Sequence, residues 1–226
     1  MKINVVKNVL QANDIVADKN RRAFQEGQVL AINLISSPGS GKTTLLEKTI
    51  PALDEQGPSI VIVGDLQTTR DAERVAGSAL QVTQINTGMS CHLYANQIAE
   101  SLPGLDLDQA AFLFIENVGN LVCPGEFDLG ENLKVVLLSI PEGDDKVAKY
   151  PTVFRAADLV LLTKIDLLGA FNYDLVRVEE DLRKLNPVAP LLPFSATTGQ
   201  GMEEWLGWLK EQRGTKVGAQ AKFFNA

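Results

Sequence analysis

Ser36-Ser37-Pro38-Gly39-Ser40-Gly41-Lys42-Thr43-Thr44 decides how the rest of the chain is read. An apolar segment, Val29 to Ile35, precedes it, and Leu45-Leu46-Glu47-Lys48 follows. The order is strand, glycine-rich turn, helix, which is the context a phosphate-binding loop requires. Gly39 and Gly41 let the backbone bend so that successive N–H groups face phosphate oxygens, and the helix N-terminus adds its dipole. Ser37, Gly39, Ser40, Gly41, Lys42, Thr43 and Thr44 are therefore candidate nucleotide contacts. Lys42 reaches for the β/γ-phosphates, and the Thr43 hydroxyl is a candidate Mg²⁺ ligand. Ser36 stands where such loops usually begin with glycine. The bland alternative is a Gly/Ser turn that merely enters a helix.

Outward from this loop, apolar runs alternate with helical patterns. Expected strands are Val29–Ile35, Ser59–Val63, Leu80–Ile85, Ala111–Ile115, Val135–Leu138, Leu159–Leu162 and Val188–Phe194. Several are nearly continuous apolar runs, as in a parallel sheet buried on both faces. Pro190 and Pro193 place the last one at an edge. Helical patterns fall near 43–56, 69–77, 92–101, 145–156, 174–185 and 201–212. The expectation is an α/β fold, a doubly wound and mostly parallel sheet of the P-loop NTPase kind. A helical arm over 1–28 leads into a P-loop domain over 29–213, and a flexible tail spans 214–226.

Bulk properties agree with one such domain. The chain has 226 residues and is 45% hydrophobic. With 21 Lys+Arg against 28 Asp+Glu it carries a net charge of −7, which argues against nucleic acid and anionic membrane surfaces as partners. No apolar run approaches the roughly 20 residues that span a bilayer. Residues 1–7 lack a secretory pattern. With two cysteines the reading is a cytoplasmic protein whose thiols are free or ligating rather than a staple.

Acidic residues at strand tips opposite a phosphate loop suit Mg²⁺ or its water shell. Asp65 ends the second strand and Glu116 the fourth, with Asp71 placed to join them in a mobile switch. The catalytic set is Lys42, Thr43, Asp65 and Glu116; the magnesium set is Thr43, Asp65, Asp71 and Glu116. Gly119 is small enough to approach a γ-phosphate and move with it. In Thr163-Lys164-Ile165-Asp166, the carboxylate can accept two hydrogen bonds from guanine N1 and N2, a donor pair that adenine lacks. Lys164 covers the base plane, Ser195-Ala196 back it, and Thr163 stands where most GTPases have Asn. Cys91, His92 and Cys123 form a second constellation. Two thiolates and an imidazole suit Zn²⁺ or Ni²⁺, with a further ligand from solvent or a second chain. The same three residues also read as two inert cysteines beside a surface histidine.

Residues 30–210 resemble HypB, the nickel-incorporation GTPase of [NiFe]-hydrogenase maturation. The resemblance rests on the phosphate loop, Gly64-Asp65-Leu66-Gln67-Thr68, Asn86-Thr87-Gly88 with Cys91-His92-Leu93, and above all Glu116-Asn117-Val118-Gly119-Asn120-Leu121-Val122-Cys123-Pro124. Phe127 to Glu131, Glu142 to Lys146, Lys149-Tyr150-Pro151 and Lys164 to Leu167 match as well. It implies a SIMIBI-type GTPase with a Cys91/His92/Cys123 site for nickel or zinc, near a homodimer interface that depends on nucleotide and metal. It further implies GTP/GDP and Mg²⁺ as cofactors, and a HypA-type nickel chaperone and the hydrogenase large subunit as partners. Met89-Ser90, Tyr94 and Thr163 depart from the family pattern. Residues 1–28 hold no Cys or His, so the nickel-storage tract of some members has no counterpart there. The function expected is a GTP-hydrolysing metallochaperone with slow intrinsic turnover. Two other classes compete: a P-loop kinase of a small molecule, and a GTP-dependent binding switch with a structural zinc.

Overall fold

The computed structural model describes residues 5–217. Among these residues, seven strands form one sheet: β1 (Leu30–Ser36), β2 (Ser59–Asp65), β3 (Gln81–Asn86), β4 (Phe112–Glu116), β5 (Leu133–Ser139), β6 (Leu159–Thr163) and β7 (Leu191–Phe194). Their order is β3-β2-β4-β1-β5-β6-β7, and every pairing is parallel. β1, β4 and β6 are buried along their whole length, which explains why they read as unbroken apolar runs. The proline-bearing β7 is a terminal strand, where a missing N–H costs no ladder bond on the outer side. From β1 the chain builds one side of the sheet through β2 and β3, returns at β4, and builds the other through β5 to β7. The reversal beside β1 opens a crevice at the carboxyl ends of the central strands.

Among the described residues, eight α-helices cover the two faces: α1 (Val5–Glu26), α2 (Lys42–Ala52), α3 (Arg70–Val75), α4 (Ala95–Ser101), α5 (Lys146–Lys149), α6 (Pro151–Arg155), α7 (Leu175–Leu185) and α8 (Met202–Lys216). Leu30, Ile32 and Leu34 of β1 pack with Leu45, Leu46 and Ile50 of α2 and with Trp205 and Leu209 of α8. The buried Trp205 indole donates to Thr49 Oγ1 at 2.9 Å, so its N–H keeps a partner. On the opposite face, Phe24 of α1 and Ile98 of α4 cover Ala31, Ile62 and Leu113.

Several boundaries differ from the sequence reading; among them, the strand expected over Val188–Phe194 begins only at Leu191, the helix expected over 43–56 ends at Ala52, and three more have a visible physical cause. The helix expected over 145–156 is two short ones, because Pro151 has no N–H to continue α5 and holds Tyr150 off helical geometry at φ −123°, ψ 57°. The helix expected near 92–101 begins only at Ala95, since residues 91–94 belong to a loop. The last helix runs to Lys216, past the boundary set at 213. Arg213 Nε donates to Ala111 O at 3.2 Å and Lys216 Nζ to Asn132 O at 3.1 Å, tying its end to the sheet. Residues 218–226 of the expected tail lie outside the described residues.

Candidate functional site

The loop between β1 and α2 has the geometry its glycines require. Gly39 and Gly41 sit at φ 77° and 101°, which side-chain-bearing residues rarely adopt, and Gly41 opens α2. Ser40 Oγ donates to Ser37 O at 2.9 Å, closing the turn. Lys42 is buried, and its Nζ donates to Ser36 Oγ at 3.1 Å. The serine that departs from the usual glycine is thus the resting partner of the lysine. Burial lowers the Lys42 pKa against the pull of Glu116.

Across a cavity of about 400 Å³, Gly41, Lys42 and Thr43 face Asp65, Asp71 and Glu116. Thr43 Oγ1 donates to Glu116 Oε1 at 2.7 Å. Glu116 Oε2 is buried with no hydrogen-bond partner among the described residues. Burial pushes the Glu116 carboxyl up to about 7, although Lys42 and Thr43 pull the other way. A buried acceptor without a donor, one bond from a threonine hydroxyl, fits a divalent cation. Asp65 is turned into its own loop, accepting from Leu66 N at 2.5 Å and Thr68 Oγ1 at 2.6 Å. Partial burial works to raise its pKa, and the hydrogen bonds from Thr68 and Leu66 outweigh it and hold the carboxyl low. Asp71 pairs with Arg74 at 3.5 Å.

Arg74 is not among the candidate residues read from the sequence. It lines the same cavity, with Nη2 at 3.0 Å from Thr44 Oγ1 and 2.6 Å from Glu47 Oε2. Its spacing of three from Asp71 on a short helix is the only signal the sequence carried.

A second cavity of about 400 Å³ adjoins the first at Gly41, Thr44 and Lys164. Asp166, Ala196 and Phe194 line it. Ser195 Oγ donates to Asp166 Oδ1 at 2.5 Å and accepts from Thr197 N and Thr198 N at 3.2 Å. Lys164, at φ 59°, donates from Nζ to Gly39 O at 2.7 Å. Thr163 Oγ1 donates to Ser40 O at 2.8 Å, so the threonine in place of Asn still fastens this loop to the phosphate loop.

The third grouping lies beyond β3 and β4. One donor atom each from Cys91, His92 and Cys123 falls within 4.8 Å of the others. The two sulfurs of these free thiols are 2.9 Å apart, and Cys91 Sγ is 3.6 Å from His92 Nδ1. His92 is 4% exposed, not a surface histidine. Its ring lies between Tyr94, at 4.3 Å between centroids, and Phe127, at 4.1 Å. Burial lowers its pKa and favours the neutral ring that ligates metals. Two thiols and one neutral imidazole, converging with a side open to solvent at Cys91, suit a soft or borderline divalent ion. Tyr94, one of the family departures, is the wall that helps bury the ligand. Met89 is fully exposed and touches none of this.

Gly119 lies against the phosphate loop, where a Cβ would come within 2.9 Å of Pro38 Cα. Two cavities and a thiol–imidazole cluster thus share one edge of the sheet.

Residues 30–193 match the family model described as "CobW/HypB/UreG, nucleotide-binding domain". The chain is 49% identical over 211 residues to the hydrogenase maturation factor HypB of Escherichia coli K12, covering 93% of this chain and 73% of that protein. Among solved structures, HypB from Helicobacter pylori in complex with nickel superposes with a TM-score of 0.86 at 41% identity, over 91% of this chain and 97% of that one. HypB from Archaeoglobus fulgidus gives 0.84 at 39% identity, over 90% and 100%.

Proposed function

The chain belongs to the HypB family of CobW/HypB/UreG nucleotide-binding proteins, and from that membership we propose a GTP-hydrolysing metallochaperone that delivers nickel during [NiFe]-hydrogenase maturation. The observation that carries the reading is one edge of one sheet holding both a P-loop with its acidic strand tips and a Cys91/His92/Cys123 cluster. A relative with the same fold was crystallised in complex with nickel.

In this reading Lys42 and the loop amides hold the β- and γ-phosphates. Thr43 and Glu116, with Asp65 and Asp71, hold Mg²⁺, which neutralises phosphate charge when bound. Asp166 accepts from the guanine edge, Lys164 lies along the base, and Ser195 fixes the Asp166 carboxylate through its 2.5 Å hydrogen bond. Such sites work by holding charge where it develops, at little reorganisation cost. Turnover is slow because Arg74, the extra cation at the cavity, is paired with Glu47. Nickel is cargo: Cys91, His92 and Cys123 take it as thiolates and imidazole, and zinc competes for the same donors. The site leaves a coordination position for solvent or for a second copy of the chain, consistent with a homodimer dependent on nucleotide and metal. The partners are a HypA-type chaperone and the hydrogenase large subunit, in the cytoplasm.

The test is purified protein assayed for GTP hydrolysis and for stoichiometric Ni²⁺ binding. Lys42→Ala should abolish hydrolysis and keep nickel; Cys123→Ala should abolish nickel and keep GTP binding. Hydrolysis surviving Lys42→Ala, or nickel bound normally by Cys123→Ala, overturns the reading.

A further inference from the structure

The arm that carries Cys91 and His92 is fastened at both ends to the strands that carry the acids. At its start, Thr87 N donates to Asp65 O at 2.9 Å, and Thr87 Oγ1 donates to Ser90 O at 3.0 Å. At its far end lies Leu93, fully buried, between two strand tips. Its amide donates to Asn117 Oδ1 at 3.1 Å. Its side chain fills the space over Gly64, where a Cβ would come within 2.8 Å of Leu93 Cγ and Cδ1. Gly64 immediately precedes Asp65, and Asn117 immediately follows Glu116.

Asn117 is itself held firmly. It is 1% exposed, its amide donates to Leu34 O at 3.1 Å, and its Nδ2 donates to Asn33 Oδ1 at 3.1 Å. Asn33 in turn donates to Glu131 Oε1 at 3.1 Å. Buried polar chains of this kind have few alternative arrangements, because any break leaves a buried group unpaired. Leu93 therefore cannot move independently of the tips of β2 and β4, and His92 is one residue away. A side-chain contact of Leu93 is not part of the donor set, and neither is Asn117.

We propose that Leu93 is a positioning residue of the metal site, a wedge seated by Gly64 and Asn117 through which the state of the Asp65 and Glu116 strand ends sets the Cys91–His92 geometry. The inference rests on the nucleotide and metal reading above. Whatever rearranges the two acids when Mg²⁺ and nucleotide enter reaches His92 across one buried side chain, with no long pathway required. Linkage then demands that metal change nucleotide affinity by the same factor as nucleotide changes metal affinity.

The experiment is a Ni²⁺ titration of the full chain with Mg²⁺ and either GDP or a non-hydrolysable GTP analogue, repeated on Leu93→Ala, Leu93→Val, Asn117→Ala and Gly64→Ala. Wild type should show Ni²⁺ affinities that differ between the two nucleotides on the order of 5-fold or more, a usual size of coupling. In the variants that ratio should fall to within about 2-fold of unity, while Cys91, His92 and Cys123 stay intact. The same collapse should appear in the reciprocal measurement, nucleotide affinity with and without Ni²⁺. Leu93→Val guards against failure of Leu93→Ala to fold. A folded variant with a lowered melting temperature and an unchanged ratio would mean Leu93 is only core, and would overturn the proposal. So would a wild type with equal Ni²⁺ affinity in both nucleotide states. A wild type that binds no Ni²⁺ at all sinks the metal-site reading itself, a separable failure.

Discussion

At the phosphate site, the chemistry of Glu116 depends strongly on its surroundings. As a free side chain it titrates near 4.5; buried beside Thr43 it is pushed up to about 7. The folded state therefore holds a proton that the unfolded chain has released between those values. Stability of the nucleotide- and metal-free protein should fall as pH rises from about 4.5 to about 7 from this group, and level off above. Glu116→Gln, which cannot titrate, should flatten that part of the profile in thermal melts. A cation at Glu116 competes with the same proton, so Mg²⁺ affinity should rise with pH up to about 7 and then plateau. Melts of wild type and Glu116→Gln with the same slope over that window would show that another group carries the dependence. Ser36 and Thr163 teach a related lesson. Each departs from its motif and makes a hydroxyl hydrogen bond there, Ser36 accepting from Lys42 and Thr163 donating to Ser40 O.

Among the elements, α1, read from the sequence as a helical arm, is welded to the face beside the loop that carries His92. Phe24 is fully buried. Asn20 Nδ2 donates to Ala95 O at 2.8 Å and Leu129 O at 2.9 Å, and Asn13 Oδ1 accepts from Ala95 N at 2.9 Å. Two asparagines on one helix thus satisfy backbone groups at the start of α4, directly after the loop that carries His92. Phe24→Ala should destabilise the fold by about 3–5 kcal/mol, the usual cost of emptying a buried phenylalanine site. Chemical denaturation measures it, and nucleotide affinity should hold within about 2-fold because α1 lines neither nucleotide cavity. A loss under 1 kcal/mol would mean that α1 is a loose arm. Its helical pattern was legible in the spacing of Val5, Val9, Ile15 and Phe24, but the asparagine contacts that fasten it were not, because asparagine side chains carry no periodic signal.

For the whole molecule, nucleotide is a staple across the sheet. Gly41 and Thr44 from the β1–α2 junction, Asp166 after β6 and Ala196 after β7 line one cavity. Ligand that binds only this folded arrangement stabilises it by mass action. GDP with Mg²⁺ at about 100 times its Kd should add about 2.7 kcal/mol. For a domain of this size that is roughly 5–11 °C in Tm. Asp166→Asn should lose most of the GDP-induced shift and gain one from xanthosine diphosphate, whose 2-oxo group accepts from an amide. Thermal shifts of both proteins with both nucleotides decide it; an undiminished GDP shift in Asp166→Asn would remove that carboxylate from base selection.

The sequence by itself determined the architecture and the three donor groups. Strand polarity, burial on both faces and the strand–loop–helix context of Lys42 are local properties, written in apolar runs and glycine positions. The Glu116 to Pro124 run was specific enough to place the chain in its family. Tertiary structure alone decided which groups meet. Arg74 against Glu47 at the phosphate cavity, Phe127 against His92, and Leu93 wedged between Gly64 and Asn117 join residues 24 to 35 positions apart, through a sheet whose neighbours are not consecutive in the chain. The burial that raises Glu116 to about 7 and lowers the His92 pKa is likewise a property of packing, since desolvation comes from atoms that arrive from every layer of the fold.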